Sequence, residues 1–146
     1  MPSKNEQYEY LEHTADAKFR AYGKSLEETF ENAALAMFNV MIDTEKVSGE
    51  KATKVRVSSP DLENLLVDWL SELLFLFEVE ATIFWKFKVL EIKKEEGKYF
   101  LSGQAFGEAF NPEIHPFETE IKAVTYNQLL LEKTENGWLA QLVVDI

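Results

Sequence analysis

The chain has 146 residues, 46% of them hydrophobic, which is enough to bury a core as a single domain spanning residues 1–146. It contains 15 Lys and Arg against 26 Asp and Glu, and a net charge of −11 argues against tight, direct binding to nucleic acid. No Cys is present, which excludes disulfides and thiolate chemistry. A polar N-terminus and the lack of any long apolar run indicate no signal peptide and no membrane span, as expected of a cytoplasmic protein.

The chain opens with two predicted strands and an amphipathic helix. Alternating residues indicate strands over 8–11 and 18–22. Ser25 and Glu28 then match a capping box, in which each side chain can bond the other residue's amide. Apolar residues recur behind it at helical spacing, which predicts a helix that ends near Ile42.

A second amphipathic helix is predicted after a short strand at 55–57. Ser59 is its expected N-cap and Pro60 its first residue. Apolar residues from Leu62 to Phe77 form one broad stripe along it. A coiled-coil seam would give a similar stripe, but the heptads are too few, so this segment is predicted to be the main core helix.

The second half of the chain is predicted to consist of strands. The hydrophobic period changes to two at Ile83, and residues 95–98 form a hairpin turn. Asn136-Gly137 is the predicted turn between the last two strands. The predicted strands are 83–92, 99–106, 120–124, 128–133 and 138–146. Early helices and late strands predict an α+β fold, with two amphipathic helices on one face of a mostly antiparallel sheet.

Motifs for catalysis are missing from the sequence. There is no Gly-rich phosphate loop, no nucleophile elbow and no His-Glu-x-x-His motif. His115 is expected to be an exposed loop residue before Pro116. The aromatic run at 84–87 could stack on bases, but the acidic composition favours core packing. We therefore expect a protein that is not an enzyme.

Oxygen-bearing groups near both ends of the sequence are candidates for a cation site. Asp145 precedes Ile146 and its main-chain carboxylate, and Asp16 closes a polar cluster that begins at His13. If these segments meet in the fold, Asp16, Asp145 and the Ile146 carboxylate form an all-oxygen site of the kind that Ca²⁺ or Mg²⁺ prefers. In the alternative, Asp145 is a solvated acid at a frayed end and Asp16 a turn former.

Two further residues have open alternatives. His13 could be a general base or a ligand, or a structural hydrogen-bonding residue in a polar turn. Lys122 is an isolated cation in an apolar strand. It could organise the carboxylates or meet an anionic ligand, or it could simply face outward and protect the strand.

Several segments taken together resemble the archease family. They are YLEHTAD at 10–16, FENAA at 30–34, LLVDWLSELL at 65–74, IKAVTY at 121–126 and VDI at 144–146. The resemblance extends over nearly the whole chain and keeps the order of the family's segments. Asn127 stands where many members have a His after the Thr-Tyr pair.

The resemblance implies a small acidic cofactor protein. Members of the family support the RtcB-type tRNA-splicing RNA ligase by accelerating its guanylylation and permitting multiple turnover. Some are described as chaperones that prevent aggregation of a tRNA cytosine methyltransferase and sharpen its specificity.

The resemblance also implies a set of site residues. The family's divalent cation, usually Ca²⁺ with Mg²⁺ or Mn²⁺ as substitutes, maps onto Asp16, Asp145 and Ile146. His13, Lys122 and Thr125 are expected as supporting or partner-contact residues. A metal-dependent hydrolase remains a third interpretation of the same carboxylates.

Overall fold

Two antiparallel sheets and two helices make up residues 7–11 and 16–146, the part of the chain that the computed structural model describes. The helices are α1 (Leu26–Met41) and α2 (Leu62–Glu80), and a short 3₁₀ turn spans Thr44–Lys46. The strands are β1 (Tyr8–Leu11), β2 (Asp16–Gly23), β3 (Lys51–Ser59), β4 (Thr82–Glu95), β5 (Lys98–Ala109), β6 (Ala123–Val124), β7 (Leu130–Thr134) and β8 (Gly137–Asp145). His13 lies outside the described residues.

The strands form two separate sheets instead of one. The larger sheet has the order β1-β2-β8-β6, with β7 also paired to β8, and the smaller has the order β3-β5-β4. Each strand pair among the described residues is antiparallel. The expected α+β class with a mostly antiparallel arrangement is therefore confirmed. No helix in the described part of the chain is long and apolar enough to cross a membrane.

Helix α1 lies between the two sheets. It packs on β2 and β8 on one side and on β4 on the other, so most of its residues are buried. Its start follows the capping pattern: the Ser25 hydroxyl accepts from the Glu28 N–H at 3.1 Å. The Glu28 carboxylate accepts from the Lys24 N–H at 2.6 Å, one residue earlier than the capping box predicts.

Helix α2 begins two residues later than the sequence predicts. Ser59 is the last residue of β3, and Asp61 is the N-cap, accepting from the Asn64 N–H at 2.8 Å. The prediction of Ser59 as the cap was wrong because the Ser59 hydroxyl donates to the Asp68 carboxylate instead. Pro60 consequently lies in the turn before the helix.

Trp69 anchors α2 to the inner face of the smaller sheet. Its side chain is fully buried, and its indole N–H donates to the Phe30 carbonyl of α1 at 3.0 Å. The ring packs over Gly103 of β5, where a Cβ atom would stand 3.3 Å from it. Glycine at this position therefore lets the largest side chain of the core reach the sheet.

Several strand boundaries differ from the sequence predictions, most clearly in β3 and in the segment 120–124. β3 has nine residues instead of three. Pairing in the segment predicted as 120–124 covers only Ala123–Val124, so Lys122 precedes the strand. The last hairpin turns at 135–136 instead of Asn136-Gly137. Gly137 has a φ of +154° where a Cβ would lie 2.0 Å from the Gly23 carbonyl oxygen, so close packing against β2 requires glycine.

His115 is buried, so the expectation of an exposed loop residue was wrong. Its Nδ1 accepts from the Asn111 N–H at 3.0 Å, which places the ring proton on Nε2, 2.9 Å from the Glu108 carboxylate. The ring also stacks on Phe110. Donation from the Ser48 N–H and from His115 lowers the pKa of Glu108. The imidazole thus forms hydrogen bonds with the Asn111 N–H and the Glu108 carboxylate. The sequence of the loop alone does not indicate these bonds.

Candidate metal site at the end of the larger sheet

The first residue of β2 and the last residue of β8 lie directly opposite each other. The antiparallel register pairs Asp16 with Asp145. Side chains at directly opposed positions project from the same face of a sheet, with Cβ atoms about 4.5–5.5 Å apart. The pairing therefore brings together two of the three residues that the sequence nominates for a cation site.

The two carboxylates are on the sheet face that points away from the helices. Alternate positions on the same strands, such as Phe19 and Leu142, are completely buried in the core. Asp16 and Asp145 are half-buried on the opposite face. Next to them on the same face, Lys18 of β2 donates to the Gln128 side chain at 2.7 Å, and its partner Val143 of β8 is buried.

The segment around β6 is fixed against β8 by main-chain hydrogen bonds. The Lys122 N–H donates to the Asp145 carbonyl at 2.7 Å, and Ala123 pairs with Asp145. The Lys122 side chain is exposed and forms no ion pair within the described part of the chain. Lys122 is therefore close to the carboxylates along the backbone, but no ion pair links it to them.

Thr125 stabilises the same segment. Its hydroxyl and its N–H both donate to the Val143 carbonyl, at 2.8 and 3.2 Å. The Asn127 N–H donates back to the Thr125 oxygen at 3.3 Å. Thr125 thus positions the strand end next to Asp145, while Asn127 is an exposed turn residue.

The donor set suits a hard cation. Two carboxylates directly opposite each other repel, and a divalent cation between them would remove that repulsion. Ile146, the third residue nominated from the sequence, is 37% exposed. Across residues 7–11 and 16–146 no group of three or more His, Asp and Glu side chains gathers at one point. Oxygen-only ligation favours Ca²⁺ or Mg²⁺ over zinc.

An apolar patch on α2, which was not predicted from the sequence, adjoins residues 122–124. Phe75 and Val79 are 54% and 63% exposed. Phe75 lines a shallow cavity of about 240 Å³ together with Glu78 and residues 122–124, the segment that pairs with Asp145. The signal was present in the sequence, because Phe75 and Val79 fall outside the apolar stripe of the helix.

The fold and the site together define a class of protein: a small α+β protein with two opposed carboxylates at the end of one sheet, an exposed apolar patch on a helix and no catalytic motif in its sequence. The sequence matches the Archease protein family (MTH1598/TM1083) over residues 8–146. The chain therefore belongs to the archease family.

Individual relatives agree with this assignment. The archeases of Methanosarcina mazei and Pyrococcus furiosus are 70% and 45% identical to this chain, over 100% and 96% of it and over 100% and 99% of their own lengths. The solution structure of Methanobacterium thermoautotrophicum protein 1598 is 40% identical with a TM-score of 0.84, covering 97% of this chain and 100% of that one. An archease from Thermotoga maritima (TM1083), described as a possible chaperone, shares the fold at a TM-score of 0.55 and 21% identity, over 93% of this chain and 94% of that one.

Proposed function

We propose that this chain is a non-catalytic, metal-binding protein cofactor that activates an RtcB-type tRNA-splicing RNA ligase in the cytoplasm. In this role it promotes guanylylation of the ligase and its multiple turnover. The observation that supports the proposal most directly is the register pairing of Asp16 with Asp145. These are the positions onto which the resemblance to the family maps a metal site.

The proposed ligands are the carboxylates of Asp16 and Asp145 and the main-chain carboxylate of Ile146. All three donors are oxygens, which suits Ca²⁺, with Mg²⁺ and Mn²⁺ as further candidates. The bound cation would supply the positive charge that offsets repulsion between the opposed carboxylates. Thr125 and the Lys122 amide would hold the β8 end in place through their bonds to β8 carbonyls.

The outer side of α2 provides a surface for the partner. Helix α2 contains no Lys or Arg, and its acids Glu63, Glu78 and Glu80 are exposed. An acidic surface steers association with a basic partner. Phe75 and Val79 add an exposed apolar contact on α2, and Phe75 shares a shallow cavity with residues 122–124; such patches commonly mark protein-binding sites. The partner that fits is a protein with a basic rim and an apolar pocket, as a ligase that binds RNA phosphates can offer.

A ligation assay with purified ligase tests this role. Asp145→Asn keeps the side-chain volume and the β8 main-chain bonds but removes the charge. We expect it to reduce stimulation of the ligase by at least ~10-fold, because even indirect partners of a metal cost ~10–100-fold when mutated. The matched control is Glu132→Gln, an exposed acid on β7 of the same sheet, which should retain full stimulation. If Asp145→Asn stimulates the ligase as well as the control does, the proposal is wrong.

A second candidate function is that of a chaperone for a tRNA cytosine methyltransferase. The exposure of Phe75 and Val79 supports it, since a holding chaperone needs apolar surface and no metal. The same assay set separates the two functions when it also measures aggregation of the methyltransferase. A double variant, Phe75→Ser with Val79→Ser, should lose the protection against aggregation, and Asp145→Asn should keep it.

A further inference from the structure

The outer face of the smaller sheet is basic, although the whole chain is acidic. The outward positions of its central strand β5 alternate with buried ones, Leu101, Gly103 and Ala105. The residues paired with these outward positions on β3 and β4 include five cations. They are Lys54, Arg56, Lys86, Lys88 and Lys93. The acids on this face are Glu91, Glu95 at the β4–β5 turn and, at the far end of β5, Glu108, which is engaged with His115 and Ser48.

The central strand presents aromatic and polar side chains between these cations. Phe100 is 37% exposed, and Phe106 is covered by Lys86, whose Nζ lies 4.6 Å from the ring centroid. Ser102 and Gln104 are the outward residues between the two rings. Exposed aromatic rings on a sheet, with hydrogen-bonding side chains between them and cations on both sides, are the features by which proteins stack and hold single-stranded RNA.

A cavity lies at the Phe100 end of this face. It has a volume of about 410 Å³, within the range of small-ligand pockets. Arg56 and Ser58 of β3 line one side of it, and Lys93 and Glu91 of β4 line the other, with Phe100 and Ser102 of β5 between them. A base stacked on Phe100 would therefore have a cation on either side for its flanking phosphates.

The cations of this face are available for an anionic ligand. Lys54 and Arg56 form no ion pair within the described part of the chain. Lys93 pairs with Glu95 at 3.2 Å and Lys86 with Glu50 at 3.3 Å, and all four side chains are well exposed. Exposed ion pairs contribute about 0–1 kcal/mol, so phosphates can replace these carboxylates at little cost.

We propose that the outer face of the smaller sheet binds single-stranded RNA, with a base stacked on Phe100 and phosphates held by Arg56 and Lys93. The net charge of −11 keeps this affinity low for the protein alone. The contact adds to RNA binding by a partner that holds the same RNA. This proposal goes beyond the activation of a ligase, since it assigns a second binding surface on a different sheet from the carboxylate pair.

An NMR titration of the ¹⁵N-labelled protein with a short oligouridine at about 50 mM salt tests the proposal, because low salt strengthens phosphate contacts. Shifts should concentrate on the outward residues of β3, β4 and β5. The double variant Lys54→Glu with Arg56→Glu should weaken binding at least ~10-fold by losing phosphate contacts. The control, Lys24→Glu with Lys133→Glu, gives the same net charge at exposed sites elsewhere and should bind much more tightly than the Lys54/Arg56 variant.

Polyglutamate is the second probe, because it is a polyanion without bases. Phe100→Ala should weaken oligouridine binding by ~5-fold or more, the usual effect of removing one stacked base, and should not change polyglutamate binding.

Oligouridine shifts located elsewhere, or equal weakening by the two charge variants, would overturn the proposal. Tighter binding of polyglutamate than of oligouridine, with no effect of Phe100→Ala, would identify the face as a site for an acidic protein instead. Asp145→Asn should bind oligouridine as the wild type does. The RNA-binding proposal and the ligase proposal can therefore fail independently of each other.

Discussion

The two helices and the smaller sheet carry net charges of opposite sign. α1 and α2 contain eight acids and no Lys or Arg. β3, β4 and β5 contain eight Lys and Arg and three acids. The net charge of −11 thus describes the whole molecule and not the smaller sheet, where cations outnumber acids.

The helices contact the smaller sheet mainly through apolar packing and hydrogen bonds. Trp69 packs on Gly103, and the Ser59 hydroxyl of β3 donates to Asp68 of α2. Glu31 of α1 accepts from the Val89 N–H of β4 at 2.8 Å, and burial raises the pKa of Glu31, while that bond and the nearby Lys88 lower it. Glu63, Glu78 and Glu80 of α2 and the cations of β3 and β4 are exposed, which leaves both faces available to partners.

Removing the contact that Trp69 makes between α2 and the smaller sheet should have the largest effect on stability. Trp69→Ala removes a fully buried side chain and its bond to the Phe30 carbonyl. We expect a loss of about 3–5 kcal/mol in the free energy of unfolding, as for other large core truncations. Urea or guanidinium denaturation measures it. Phe75→Ala on the same helix, where the ring is 54% exposed, should cost much less, and equal losses would mean that Trp69 does not anchor the layers.

A smaller effect is expected from the hydrogen bond between β3 and α2. Ser59 is 3% exposed, and Ser59→Ala would leave the half-buried Asp68 carboxylate without this donor. The expected cost is about 1–3 kcal/mol, the usual penalty for an unsatisfied buried polar group. Ser58→Ala, one residue away on the exposed face, should be near neutral. Denaturation of the two variants side by side gives the comparison, and similar midpoints would refute this role for Ser59.

The sequence predicted the helices and hairpins where local chemistry decides the structure. Ser25 caps α1 by accepting from the Glu28 N–H three residues further on, and residues 96–97 turn the β4–β5 hairpin. At Ser59 a partner distant along the helix, Asp68, takes the hydroxyl, and local capping rules cannot detect such a contact. The division into two sheets depends on long-range pairing, which periodicity does not specify.

The candidate sites were predictable to different degrees. Asp16 and Asp145 could be nominated from the sequence, and the register places them opposite each other. The basic face could not, because its cations come from β3 and β4 and meet only through pairing with β5. With β3 predicted as three residues, Lys54 was not recognised as part of a strand. Alternation in the segment 51–59 was the signal that could have revealed it.

The central claim is that the opposed carboxylates at the end of the larger sheet hold a divalent cation. The most direct test measures the melting temperature at increasing Ca²⁺ concentrations. The proteins compared are the wild type, Asp145→Asn, the Glu132→Gln control and a version with a short tag after Ile146. A free Ca²⁺ concentration ~100-fold above Kd adds ~2.7 kcal/mol to the free energy of unfolding. For a chain of this size, that raises the melting temperature by ~5–10 °C. We expect this increase in the wild type and in Glu132→Gln, and none in Asp145→Asn or the tagged chain. A full Ca²⁺-dependent increase in Asp145→Asn would contradict the account.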